Sequence, residues 1–115
     1  MATALNAPPV NIRSVTLSAS GTGDSDSFSI PSGRWAMVYI TRIVFGGSGS
    51  GNRSLSVAGS IVDSSTTARN VEINDETISN INGFLLNSSD EILVETGGAN
   101  STISATFRII EFNNP

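Results

Sequence analysis

IPSGRWAMVYITRIVF, residues 30 to 45, is the stretch whose reading decides the fold. Pro31 presets the backbone for a tight turn and Gly33 supplies a permissive position two residues later. The run that follows is apolar on both parities. Trp35, Met37, Tyr39, Ile43 and Phe45 fall on one, and Ala36, Val38, Ile40 and Val44 on the other. Alternate residues of a strand point to opposite faces, so this pattern predicts a long strand with one face in its own core and the other covered by a second layer or a second chain.

The flanking sequence reads as more strands. Downstream, GGSGSGN (46 to 52) breaks the run and RSLSVAGSIV (53 to 62) follows, with Leu55, Val57 and Ile61 alternating with serines. That alternation predicts a strand with one wet face, joined to the long strand by a flexible hairpin loop. DSSTTA (63 to 68) is a polar turn, and Val71 and Ile73 mark a short strand. NDET (74 to 77) suits a brief helical turn, before a strand ending in Phe84-Leu85-Leu86. NSSD (87 to 90) turns the chain into EILVET (91 to 96), and GGANST (97 to 102) turns it back. The last strand, 103 to 112, carries Ile103, Ala105, Phe107 and Ile109 on one parity and Thr106, Arg108, Ile110 and Phe112 on the other. Upstream, Ile12 to Ala19 is a first strand, GTGDSDS (21 to 27) a polar turn, and Phe28 and Ile30 a short strand expected to pair with the long one through the Pro31–Gly33 turn. Residues 1 to 11, with adjacent prolines Pro8 and Pro9, read as an extended arm before a single domain over 12 to 115. About eight strands at close intervals with essentially no helix predict an all-β antiparallel sandwich. A jelly roll fits best and an immunoglobulin-like sandwich second.

Composition narrows the function classes. The chain has 115 residues, 14% of them charged, against a usual level of about 25%. Ser, Thr, Asn and Gly fill the difference, which suits packing against neighbours without desolvating many charges. A net charge of −4 gives no basic footprint, so neither nucleic acid nor an anionic membrane is expected as a partner. The chain holds no Cys, His or Lys. Disulfides, thiolate or imidazole metal sites, Ser-His-Asp and Cys-His nucleophiles, and lysine chemistry are therefore excluded. The first ten residues carry neither the basic nor the apolar region of a secretory signal. No run approaches the ~20 apolar residues of a membrane span.

The motifs that could carry chemistry are weak. Asp24 and Asp26 have calcium-loop spacing, but no Gly follows at the sixth position and Trp35 occupies the twelfth, where a Glu belongs. The glycine-rich loop precedes a strand rather than a helix and lacks a lysine, so phosphate binding is not expected. Glu72 with Asp75, or Glu91 with Glu95, could in principle pair as glycosidase carboxylates, although such residues on strand rims are usually solvated. The Asn-x-Ser/Thr triplets at 52, 87 and 100 are unsurprising in so Asn- and Ser-rich a chain. No catalytic residue, cofactor or metal is expected.

IPSGRWAMVYI at 30 to 40, a polar turn feeding EILVE at 91 to 95, and a final strand ending IIEF at 109 to 112 together resemble small β-sandwich proteins of tailed-phage virions. These include capsid decoration (cement) proteins and tail or fibre knobs. The resemblance is one of pattern, spanning roughly 28 to 112, and Ser89-Asp90 stands where Gly-Asp is usual in it. It implies a jelly-roll-like sandwich that works as a trimer on a virus particle, made in the host cytoplasm and bound at the capsid surface to the major capsid protein or another virion protein. The expected oligomer contacts are Trp35, Met37, Tyr39, Ile110 and Phe112. The expected docking arm carries Leu5, Pro8, Pro9 and Val10. The alternative is a fibre or spike knob that binds a host glycan.

Overall fold

The alternation read from the sequence becomes nine strands in the computed structural model, which describes residues 9–72 and 83–114. They are β1 (Asn11–Ser20), β2 (Asp24–Ser29), β3 (Arg34–Gly46), β4 (Arg53–Val57), β5 (Ser60–Ser65), β6 (Arg69–Glu72), β7 (Phe84–Leu86), β8 (Glu91–Thr96) and β9 (Thr102–Asn113). No helix occurs among the described residues. One sheet has the order β1-β9-β3-β6, with β7 also on β3, and the other the order β2-β8-β4-β5. All pairings are antiparallel. They nest: β1 with β9, β2 with β8, β3 with β6 and β7, β4 with β5. A chain folded as one long hairpin and then wrapped into two layers gives this order, which is the jelly roll rather than the immunoglobulin arrangement. The helical turn expected at 74–77, and Ile73, lie outside the described residues.

The double apolar parity of β3 has two causes. Ala36, Val38 and Ile40 are fully buried between the sheets. Between Ile40 and Arg42 the register on β9 shifts, so Thr41 is an extra residue that β9 does not match. A bulge of this kind exchanges the faces beyond it. Ile43 and Phe45 therefore join the core instead of continuing the face of Trp35, Met37 and Tyr39. Half of the apparent second face is thus core seen through a bulge, and the other half is a true outer surface.

Three local expectations are corrected. Residues 24 to 27 are strand rather than turn, and β2 pairs with β8 instead of the long strand. Asp24 and Asp26 explain this. Their carboxylates accept the Ser20 amide at 2.9 Å and the Ser18 amide at 3.1 Å, satisfying donors on the outer edge of β1 and tying the two sheets at that corner. The segment 53 to 62 is two strands, because Ala58 and Gly59 both take positive φ (50° and 84°) and close a two-residue hairpin. An Ala at the first position gives no turn signal.

The third correction concerns the glycine-rich loop. It crosses from one sheet to the other, packed on the loop 97 to 101 and gathered around Arg53. That guanidinium is fully buried and donates five hydrogen bonds, at 2.6 to 3.2 Å, to the carbonyls of Gly46, Gly47, Gly49 and Gly51. The Gly49 amide donates to the Asn100 carbonyl at 2.8 Å, and Gly97 to Asn52 at 2.8 Å. Backbone lies on backbone there, and a methyl at position 49 would run into the Ala99 carbonyl oxygen. Gly49→Ala is expected to destabilise the chain by about 1–3 kcal/mol, read as a lower urea midpoint at unchanged m-value.

Candidate interaction surface

Strand edges are the first place to look for assembly in a sandwich, since they present unpaired amides and carbonyls. Two of them, at β1 and β5, are blunted here. The β1 edge is occupied by Asp24 and Asp26. At β5, the pairing with β4 shifts register between Leu55 and Ser56. Asp63 turns back to accept the Ser64 amide at 2.9 Å, and Arg69 pairs with Asp63 at 2.8 Å. The outer faces of the two sheets remain.

On the β1-β9-β3-β7 sheet the register aligns apolar side chains across four strands. Leu85 stands opposite Met37, Met37 opposite Ile110, and Ile110 opposite Ile12. One step along, Trp35 stands opposite Phe112, with rings stacked at 4.3 Å. Val10 follows at the margin, its amide on the Glu111 carbonyl. Ile12 and Leu85 are 55% and 56% exposed and Val10 is 44% exposed. Three of the four exposed large apolar side chains among the described residues thus share this corner. Scattered apolar residues need no explanation, but a contiguous row does. Fully covering a side chain of this size is worth about 1.5–3 kcal/mol, and about half that where it is already half buried. The Trp35 indole N–H is buried with no acceptor among the described residues, a donor that costs free energy as it stands.

All five residues expected at an oligomer contact, Trp35, Met37, Tyr39, Ile110 and Phe112, come together on this face. Ile12 and Leu85 were missed, because each is isolated in its own strand and only register joins it to the others. Of the expected arm, Leu5 and Pro8 lie outside the described residues, and Pro9 and Val10 are exposed. Beyond the apolar row the next row holds Tyr39, Arg108 and Ser14. Arg108 lines an open groove of about 300 Å³ with Ile12, Arg13, Ser14 and Thr41.

Glu91 and Glu95 share the outer face of β8 with Leu93 between them. Four residues of strand set their backbones roughly 13 Å apart. Glu72 points outward beside Arg42 at 3.9 Å, and Asp75 lies outside the described residues. No group of three or more potential metal ligands occurs among the described residues. No helix among them is long and apolar enough to cross a membrane.

No protein-family model matches the chain, and no curated protein sequence is similar to it. Among solved structures it is similar to dimeric latent PorU from Porphyromonas gingivalis, at 18% identity over 92% of this chain and 10% of that one. The TM-score is 0.26. The chain spans about a tenth of the length of that protein, and a superposition at this level does not equate two folds.

Proposed function

We propose that this chain is a non-enzymatic structural protein that assembles with copies of itself through the outer face of the β1-β9-β3-β7 sheet. In the setting implied by the resemblance, it is a capsid decoration protein that ties virion subunits together. The observation that carries the reading is the cross-strand row Leu85–Met37–Ile110–Ile12, flanked by the Trp35–Phe112 stack. Blunted strand edges and a low charge content support it, since both direct association to a face. A symmetric oligomer would present the same surface several times to a lattice, so modest contacts sum by avidity. The resemblance implies a trimer. The alternative remains a glycan-binding knob, for which Trp35 and Tyr39 are the available aromatic residues. Trp35 is committed to Phe112, which counts against it.

Met37→Asp tests the reading. Aspartate at the centre of the row would bury an unpaired charge on assembly, costing several kcal/mol, while the half-buried position on the outer face leaves it access to water in the monomer. Light scattering is expected to show an oligomer for the wild type and a folded monomer for the variant. A wild-type monomer at high concentration, or a variant of unchanged oligomer mass, overturns the reading. Copy number per particle separates decoration, at hundreds, from a knob, at a handful.

A further inference from the structure

The partner of the apolar face can be narrowed by following where each charge goes. Of the six arginines, Arg13 and Arg34 bind Glu111, Arg42 approaches Glu72, Arg69 binds Asp63, and Arg53 is held by carbonyls. Among the described residues, Arg108 alone of the six has no ion pair or hydrogen bond on its side chain, and it stands exposed beside the apolar row. Among the described acids, Asp24, Asp26, Asp63 and Asp90 accept backbone amides, and Glu72 and Glu111 face arginines. Glu91 and Glu95 are left without partners, both exposed on the outer face of the β2-β8-β4-β5 sheet.

The unmatched charges are therefore divided by sign between the two outer faces. The acidic face has a surface to match the other. Ser27, Leu93, Ser56 and Ile61 form a row across it, with Ile61 67% exposed. Beside that row, Ser25, Glu95 and Ser54 stand in register. Small serines let a second layer approach closely and lose little rotamer freedom on doing so. Leu93 and Ile61 offer apolar contact between the two carboxylates and the edge.

We infer that the self-association proposed above is head-to-tail: the apolar, Arg108-bearing face of one copy covers the Glu91–Leu93–Glu95 face of the next, with Arg108 meeting one of the two carboxylates. This rests on the assembly reading and deepens it by naming the surface of the second copy. A two-fold contact would set the Arg108 faces together and leave both glutamates unmatched. The two faces point to opposite sides of the sandwich, so repeating this heterologous contact stacks copies as an open series unless the rotation between them closes a ring.

Charge reversal tests it on the full chain. Arg108→Glu alone, and Glu91→Arg with Glu95→Arg, are each expected to raise the dissociation constant about 100-fold or more, since either brings like charges together. The triple variant restores opposite charges across the contact and is expected to recover the wild-type oligomer. Circular dichroism and the thermal midpoint confirm that each variant folds. As a second readout, the chain has no cysteine, so an introduced one reports cleanly. Tyr39→Cys copies mixed with Ser56→Cys copies are expected to cross-link to each other under mild oxidation. An oligomer whose mass is indifferent to Arg108→Glu, a triple variant that stays dissociated, or Tyr39→Cys copies that link only among themselves would each overturn the head-to-tail arrangement while leaving self-assembly standing. A monomeric wild type would remove both.

Discussion

Arg53→Met is expected to cost about 3–5 kcal/mol. Methionine keeps most of the aliphatic stem and removes the guanidinium. That leaves the carbonyls of Gly46, Gly47, Gly49 and Gly51 without the donors that gather them. A buried acceptor stranded in this way costs about 1–3 kcal/mol, although the more exposed positions of the loop regain water and keep the sum below four full penalties. Against a usual total of 5–15 kcal/mol, that brings the chain close to unfolding. Arg53→Lys separates charge from geometry. It retains the cation, yet three tetrahedral donors cannot span four carbonyls as the planar fork does, so an intermediate loss is expected. Urea denaturation measures both. A Met variant within about 1 kcal/mol of the wild type would mean that the two glycine loops hold each other without the arginine.

The contrast between Arg53 and the strands shows which parts of this molecule can be read from sequence. Most strand positions follow from alternation, a local property, as in β1, β3, β8 and β9; Asp24 to Ser27 of β2 carry no apolar residue and give no such signal. The shared face of Trp35, Met37 and Tyr39 was legible for the same reason. Register is not local. Ile12 meets Ile110 only because β1 closes on β9 from the far end of the chain, and Leu85 meets Met37 through a three-residue strand. The bulge at Thr41 was equally hidden, since one extra residue in β3 is defined only by the partner strand it fails to match. Arg53 looked like the first residue of a wet strand. It is the first residue of β4, but its side chain turns into the preceding loop, whose glycines, by exposing their carbonyls and admitting the 97–101 backbone, make a cup for the guanidinium. Polar residues that serve the core in this way keep the parity of the core, while their charge argues for the surface.

Glu111 is the second such residue, and its replacement is the other large expected effect. It continues the parity of Ile103, Ala105, Phe107 and Ile109, so alternation buries it while its charge argues for the surface. It is fully buried, in register with Ala36 on one side and Asn11 on the other. Its Oε2 accepts from Arg13 at 2.6 and 2.7 Å and from Asn11 at 3.2 Å, and Oε1 accepts from Arg34 at 3.2 Å. The partners come from two strands, β1 and β3, so the carboxylate on β9 holds all three together at this end of the sandwich. Glu111→Ala removes the charge, opens a cavity and is expected to cost about 3–5 kcal/mol. Glu111→Gln keeps the shape. Both arginines are about a third exposed (37% and 33%), so they can turn toward water once the carboxylate is gone, and screening limits the loss to about 1–2 kcal/mol. The same residue reaches the proposed assembly through its neighbours, because Ile110 and Phe112 flank it and point outward in rows that β1 and β3 complete. Glu111→Gln is therefore expected to weaken self-association measurably at a temperature where the chain remains folded, as Ile12 and Trp35 lose their alignment. Unchanged oligomer affinity in a destabilised Gln variant would show that the apolar row keeps its register without the ion cluster beneath it.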